Sequence, residues 1–94
     1  MKLLAEFKQL HPVEKINDNF FKQTFDATIN LESVKPSVAR FEVTNERIET
    51  LKDLKEGDLL EIHFAINPGN FITNDGKNII IHNLLAWRVT KLSK

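Results

Sequence analysis

Thr44-Asn45-Glu46-Arg47-Ile48-Glu49-Thr50-Leu51-Lys52-Asp53-Leu54 decides the fold, because the hydrophobic period of the chain changes there. Ile48, Leu51 and Leu54 recur at a spacing of three, with charged residues between them. That spacing predicts one short amphipathic helix of about two to three turns. Thr44 or Asn45 would cap it, and acidic residues in its first turn suit the positive end of the helix. Lys55-Glu56-Gly57-Asp58 follows, with a glycine to stop it.

On either side the period is two, the signature of strands. Upstream, Lys2 to Leu10 sets Leu3, Ala5 and Phe7 against Glu6 and Lys8. His11-Pro12 ends that strand, since proline cannot donate to a ladder, and Asn17-Asp18-Asn19 is a turn cluster. Phe20 to Leu31 is a second strand, with Phe21, Gln23, Phe25, Ala27, Ile29 and Leu31 on the inward face and Phe20, Lys22, Thr24 and Asp26 on the other. After the turn Lys35-Pro36-Ser37, a third strand from Val38 to Val43 turns Ala39, Phe41 and Val43 inward and Arg40 and Glu42 outward. Downstream of the helix, Leu59 to Ile66 places Leu60, Ile62, Phe64 and Ile66 inward and Glu61 and His63 outward. Asn67-Pro68-Gly69-Asn70 is expected to break this strand, with Phe71-Ile72-Thr73 a short separate one. Asn74-Asp75-Gly76-Lys77 is a tight-turn signal before a long last strand, Asn78 to Leu92.

Three strands, a helix and two strands is the order of a mainly β protein with the oligonucleotide/oligosaccharide-binding (OB) fold. That fold is a five-stranded Greek-key barrel with one short helix between strands three and four. The 94 residues contain no repeat and no linker-like run, so residues 1–94 are expected to form a single domain.

Four stretches carry a resemblance to a known group. Phe21-Lys22-Gln23-Thr24-Phe25 resembles an aromatic-Lys-Lys-Gln-Glu-Phe motif on the second strand of a family of short bacterial OB-fold proteins of unassigned function. Phe41-Glu42-Val43-Thr44-Asn45-Glu46-Arg47-Ile48 resembles that family's third strand running into its helix. Leu54-Lys55-Glu56-Gly57-Asp58 is similar to its helix-to-strand turn. Leu84-Leu85-Ala86-Trp87-Arg88-Val89 is similar to its closing Arg-Ala-Trp-Lys/Arg pattern. The chain departs from the family at Leu85, where a basic residue is common, and at Pro68, Gly69 and Phe71, where the family has loop aromatics. The family is related in fold to bacterial single-stranded-DNA-binding proteins and to primosomal replication protein B. The resemblance therefore implies a partner of single-stranded DNA, with RNA able to serve the same contacts.

Binding a single strand requires aromatic faces for the bases and cations for the phosphates. In an OB barrel these come from strands two and three and from the loops joining strands one-two and four-five. Phe20 and Phe21 are adjacent, so alternation predicts one in the core and one exposed. Lys22 shares the face of Phe20, Arg40 is expected nearby across the ladder, and Phe71 and Lys77 fall in the last hairpin. Trp87 shares parity with Ile81, Leu85 and Val89, which predicts that it packs in the core. Arg88 then faces outward with His82. The candidate nucleic-acid-binding residues are Phe20, Phe21, Lys22, Arg40, Phe71, Lys77 and Arg88. The competing reading makes Phe20 an edge or subunit contact, and the barrel a protein-interaction or self-assembly module.

Composition narrows the remaining classes. Thirteen basic residues balance thirteen acidic ones, which argues against a non-specific duplex binder but not against a local basic groove. With so little net attraction, binding per subunit should be weak, and oligomerisation would add avidity. The absence of cysteine removes disulfides and thiolate metal sites and fits a reducing cytoplasm. Glu6 and Lys8 interrupt the apolar start before it could act as an export core, and no run approaches the length of a membrane span. His11, His63 and His82 lack metal-ligand spacing. Ser33, Ser37 and Ser93 lack nucleophile-elbow glycines, and the isolated glycines make no phosphate loop. No metal, cofactor or catalysis is expected.

Overall fold

The computed structural model describes residues 1–92, excluding the side chains of residues 68–71 and 79–82. Six strands occur in chain order: β1 Lys2–Leu10, β2 Glu14–Asn17, β3 Phe20–Ile29, β4 Ser37–Thr44, β5 Leu59–Ile72 and β6 Asn78–Lys91. They hydrogen-bond in the order β1-β5-β6-β4-β3-β2, and a β1–β3 pairing closes the sheet on itself. Every pairing is antiparallel except the seam between β4 and β6, where Phe41 meets Leu84 and Glu42 meets Leu85. Without β2, the remaining five strands form the expected barrel, with the helix between its third and fourth strands. β2 falls in the connection expected between the first two strands, and only its last residue, Asn17, belongs to the turn cluster. The strand resumes pairing with β3 beyond the His11-Pro12 interruption and makes a projecting hairpin.

The inward residues follow the alternation of the sequence. Phe7, Phe25, Phe41 and Phe64 come from four different strands and touch in a row, with ring centroids 5.9, 5.5 and 5.6 Å apart. Ala5, Ala27, Val43, Leu51, Leu60, Ile62 and Ala86 fill the space around them. Gln23 is the one polar side chain in the buried set, and its Nε2 donates to the His11 carbonyl at 2.8 Å, so its desolvation is compensated.

The helix covers one part of the barrel, with Leu51 fully buried, but it is a 3-10 helix, Asn45–Leu51, not an α-helix. Side chains three apart eclipse at three residues per turn, so the Ile48–Leu51 spacing fits this geometry directly, while Leu54 lies beyond the end of the helix. The expected cap is also absent. Thr44 makes no side-chain capping bond, and Asn45, at φ 50°, instead accepts the Phe21 backbone N–H on its Oδ1 at 3.0 Å. Gly57 does not stop the helix, which ends at Leu51 with Lys52 as its C-cap; at φ 94° it makes the later turn into β5 and donates to the Phe7 carbonyl, tying that turn to β1.

Two expectations fail on β5. Asn67-Pro68-Gly69-Asn70 does not break it, because the strand runs to Ile72 and pairs with β6 throughout. β1 accompanies β5 only as far as His63, so at Pro68 the far edge of β5 has no partner that needs an N–H. Ile66, expected inside, is exposed, since it lies beyond the last residue of β5 that β1 accompanies.

Truncating the phenylalanine row should therefore be costly. Phe25→Ala is expected to lower unfolding free energy by about 3–5 kcal/mol, whereas Phe20→Ala, at the projecting hairpin, should cost no more than about 1 kcal/mol. Urea denaturation of the two variants checks this contrast.

Candidate nucleic-acid interface

The β2–β3 hairpin carries Phe20 and Phe21 at its end. Alternation predicted that one would be buried, but both are 37% exposed. The hairpin has run past the barrel there, so neither face of β3 meets the core. Lys22 lies between two carboxylates, 3.9 Å from Glu14 and 3.5 Å from Glu42. Arg40 is not beside Phe20. It sits across the ladder from Asp26, to which its Nε donates at 2.9 Å. Four ladder positions separate that pair from Lys22, a distance of roughly 13 Å at strand rise. Asp26 also accepts from His11 Nε2 at 3.0 Å and is only 13% exposed. Its carboxyl is held below the usual range, chiefly by the Arg40 hydrogen bond. Lys22 and Arg40 thus have their charges largely answered within the fold. Lys77 is exposed at the tip of the β5–β6 hairpin, where Gly76 takes φ 84°. The Phe71 side chain lies outside the described residues.

A different constellation forms on β6. Its register with β5 shifts between His63, opposite Arg88, and Phe64, opposite Ala86, which leaves Trp87 as the extra residue of a bulge. The shift changes the phase of the strand. Ala86 is buried, whereas Trp87 is 45% exposed, so the expectation of a core tryptophan fails. Trp87 and Arg88 line one cleft of 260 Å³ with Arg47 and Thr50 of the helix and Val43 of β4. The His63 ring lies 5.0 Å from the Trp87 ring, tilted by 56°, and His63 Nε2 donates to Glu61 at 2.8 Å. That bond is the main reason the Glu61 carboxyl lies below its usual range; Lys2 and Arg88 contribute less. Neither Arg47 nor Arg88 has a carboxylate within 4.0 Å among the described residues. A half-exposed aromatic ring sharing a cleft with two guanidinium groups that form no ion pair can stack on a base and meet phosphate oxygens. Among the described residues, no group of three or more His, Asp or Glu could hold a metal, and no helix is long and apolar enough to cross a membrane.

A family match over residues 3–90 decides the kinship of the chain. It belongs to the family described as Domain of unknown function (DUF3127). Two crystal structures of Rim1, the mitochondrial single-stranded DNA binding protein of S. cerevisiae, are similar in fold. One superposes with a TM-score of 0.76 and the other, selenomethionine-labelled, with 0.75. Each pair is 14% identical, and each alignment covers 100% of this chain and 94% of the other. The DUF3127 chain is thus mainly β with the OB architecture of single-stranded-DNA-binding proteins. No curated protein matches it.

Within this DUF3127 chain, the sequence-selected residues whose side chains are described do not form one stripe. Phe20 and Phe21 sit on the projecting hairpin, Lys22 and Arg40 in ion pairs on β3 and β4, and Arg88 at the β6 cleft. Sequence reasoning missed Arg47 and the exposure of Trp87. Arg47 was detectable, since it precedes the inward Ile48 and so flanks the covered face of the helix. The bulge left no signal, because an unpaired residue is a property of two strands together.

The Asp26 cluster has a pH signature. A carboxylate depressed on folding stabilises the native state above its unfolded value near 3.8, and that stability is lost as pH falls through the lower native value. Asp26→Asn should cost about 1–2 kcal/mol at neutral pH and flatten the decline of stability below pH 4. Urea midpoints from pH 2.5 to 7 measure both effects.

Proposed function

We propose that this chain is a non-enzymatic single-stranded-DNA-binding protein, a single OB-fold domain acting in the cytoplasm in replication, recombination or repair. The observation that carries the reading is the β6 cleft, where an exposed tryptophan shares the lining with two arginines that form no ion pair among the described residues, on a barrel similar in fold to single-stranded-DNA-binding proteins. A base stacks on Trp87, Arg47 and Arg88 take flanking phosphates, and the strand continues to Phe20 on the hairpin. Lys77 extends the cationic path from the far hairpin, whereas Lys22 and Arg40 contribute little because their charges are already paired. Stacking and phosphate contacts carry no base code, so the binding is sequence-independent, and RNA competes to the extent that its 2′-hydroxyl is tolerated. With two cations at the cleft, affinity per copy is modest, and oligomerisation supplies the rest.

The sole tryptophan makes the cleft its own reporter. Titration with oligo-dT at low salt should quench its fluorescence, and polarisation of a labelled oligo-dT should give the same affinity. Trp87→Ala should weaken binding by about 1–3 kcal/mol. Arg88→Ala and Arg47→Ala should each reduce the salt dependence by about 0.7 in the logarithmic slope. Phe20→Ala should weaken binding as well, and Arg40→Ala should leave it nearly unchanged. Absence of binding by the native protein at low salt would sink the proposal.

A further inference from the structure

The 3-10 helix separates two clefts of opposite chemistry. On its β6 side lie Arg47, Trp87 and Arg88. On its other side an open groove runs between the helix and the β2–β3 hairpin. Val13, Phe21 and Ile48 give it an apolar lining, and Asp18, Glu46 and Glu49 bring three carboxylates to it. The groove is preformed, because the Phe21 N–H bond to Asn45 Oδ1 fastens hairpin to helix. Its apolar lining is not sealed: Val13 is 49% exposed and Phe21 37%. An exposed apolar patch rimmed by polar groups is the usual form of an interaction site.

The rim identifies the occupant. Asp18 lies 3.3 Å from Lys15 and Glu49 2.9 Å from Lys52, both highly exposed pairs that a ligand cation displaces at little cost. Glu46 has no ion-pair partner among the described residues. Three carboxylates repel phosphate, so this groove does not continue a nucleic-acid path. Lysine and arginine satisfy it, and aliphatic side chains beside them cover Val13, Phe21 and Ile48. We infer that the groove docks a segment of a partner protein in which basic and aliphatic residues lie side by side. The inference goes beyond the nucleic-acid reading and does not depend on it. If both hold, one copy carries a strand and a protein partner on opposite sides of a single helix.

The experiment uses the full chain, labelled with ¹⁵N, and an eight-residue peptide alternating leucine and lysine, with a glutamate-for-lysine peptide as control. Amide shifts are expected at Val13, Asp18, Asn19, Phe21 and the helix, and none with the control. The double variant Glu46→Lys/Glu49→Lys should weaken the leucine-lysine peptide at least tenfold. The milder Glu46→Gln/Glu49→Gln variant should weaken it severalfold and leave oligo-dT titrations unchanged. Absence of shifts at millimolar peptide, equal binding of the control, or shifts elsewhere on the barrel would overturn the inference. Loss of oligo-dT binding in the glutamine variant would assign the groove to nucleic acid instead. Self-association of the native chain that the lysine variant abolishes in sedimentation would assign it to a second copy. Either of these last two results also overturns the partner-protein reading.

Discussion

Phe7, Phe25, Phe41 and Phe64 form a row of rings through the barrel, and the surface features depend on it. Each ring comes from a different strand, so the row fixes the relative registers of β1, β3, β4 and β5 together. Aromatic contacts of this kind contribute beyond the area they bury, and their interlocking allows no one-residue slip of a strand without exposing its whole inward set. The seam between β4 and β6 rests on few ladder contacts, with Phe41 opposite Leu84. The same phenylalanine that anchors the row therefore also meets the strand that carries Trp87 and Arg88.

What was legible in the sequence follows from where packing enforces simple periodicity. β1 has the predicted limits, and the inward set Ala5, Phe7, Phe25, Ala27, Phe41, Val43, Leu60 and Ile62 is buried as alternation required. The helix was visible because Ile48, Leu51 and Leu54 face the barrel, although its tighter winding was not, since spacing of three fits both geometries over so short a span. Pro68 and Gly69 misled because their breaking power depends on whether a neighbouring strand needs the missing N–H, and none does there. Phe21 and Ile66 misled because alternation assigns faces without saying where a strand leaves the core. Trp87 misled because parity was carried through a bulge.

Net neutrality hides an ordered distribution of charge. Several carboxylates lie beside cations on the barrel wall, as in Asp26 with Arg40 and Glu42 with Lys22, so formal charge there cancels locally. Along the 3-10 helix the signs separate, with Arg47 toward β6 and Glu46 and Glu49 toward the hairpin. A chain with equal numbers of acids and bases thereby presents surfaces of opposite preference within a few residues of each other. Composition alone could not have distinguished this arrangement from a uniformly mixed surface.

The bulge at Trp87 makes the cleft a matter of counting as much as of chemistry. On a regular strand two consecutive side chains diverge to opposite faces, but β6 holds one residue more than β5 at Trp87, so the alternation resumes out of phase beyond it, with Ala86 and Val89 both turned to the core. Removing that one residue would restore the alternation, but the residue removed would be Trp87 itself. Transplanting Trp-Arg onto another barrel would not reproduce the exposed tryptophan unless the mismatch in length between the two strands went with it. The information for this part of the surface is thus held jointly by two strands, and no motif confined to either of them records it.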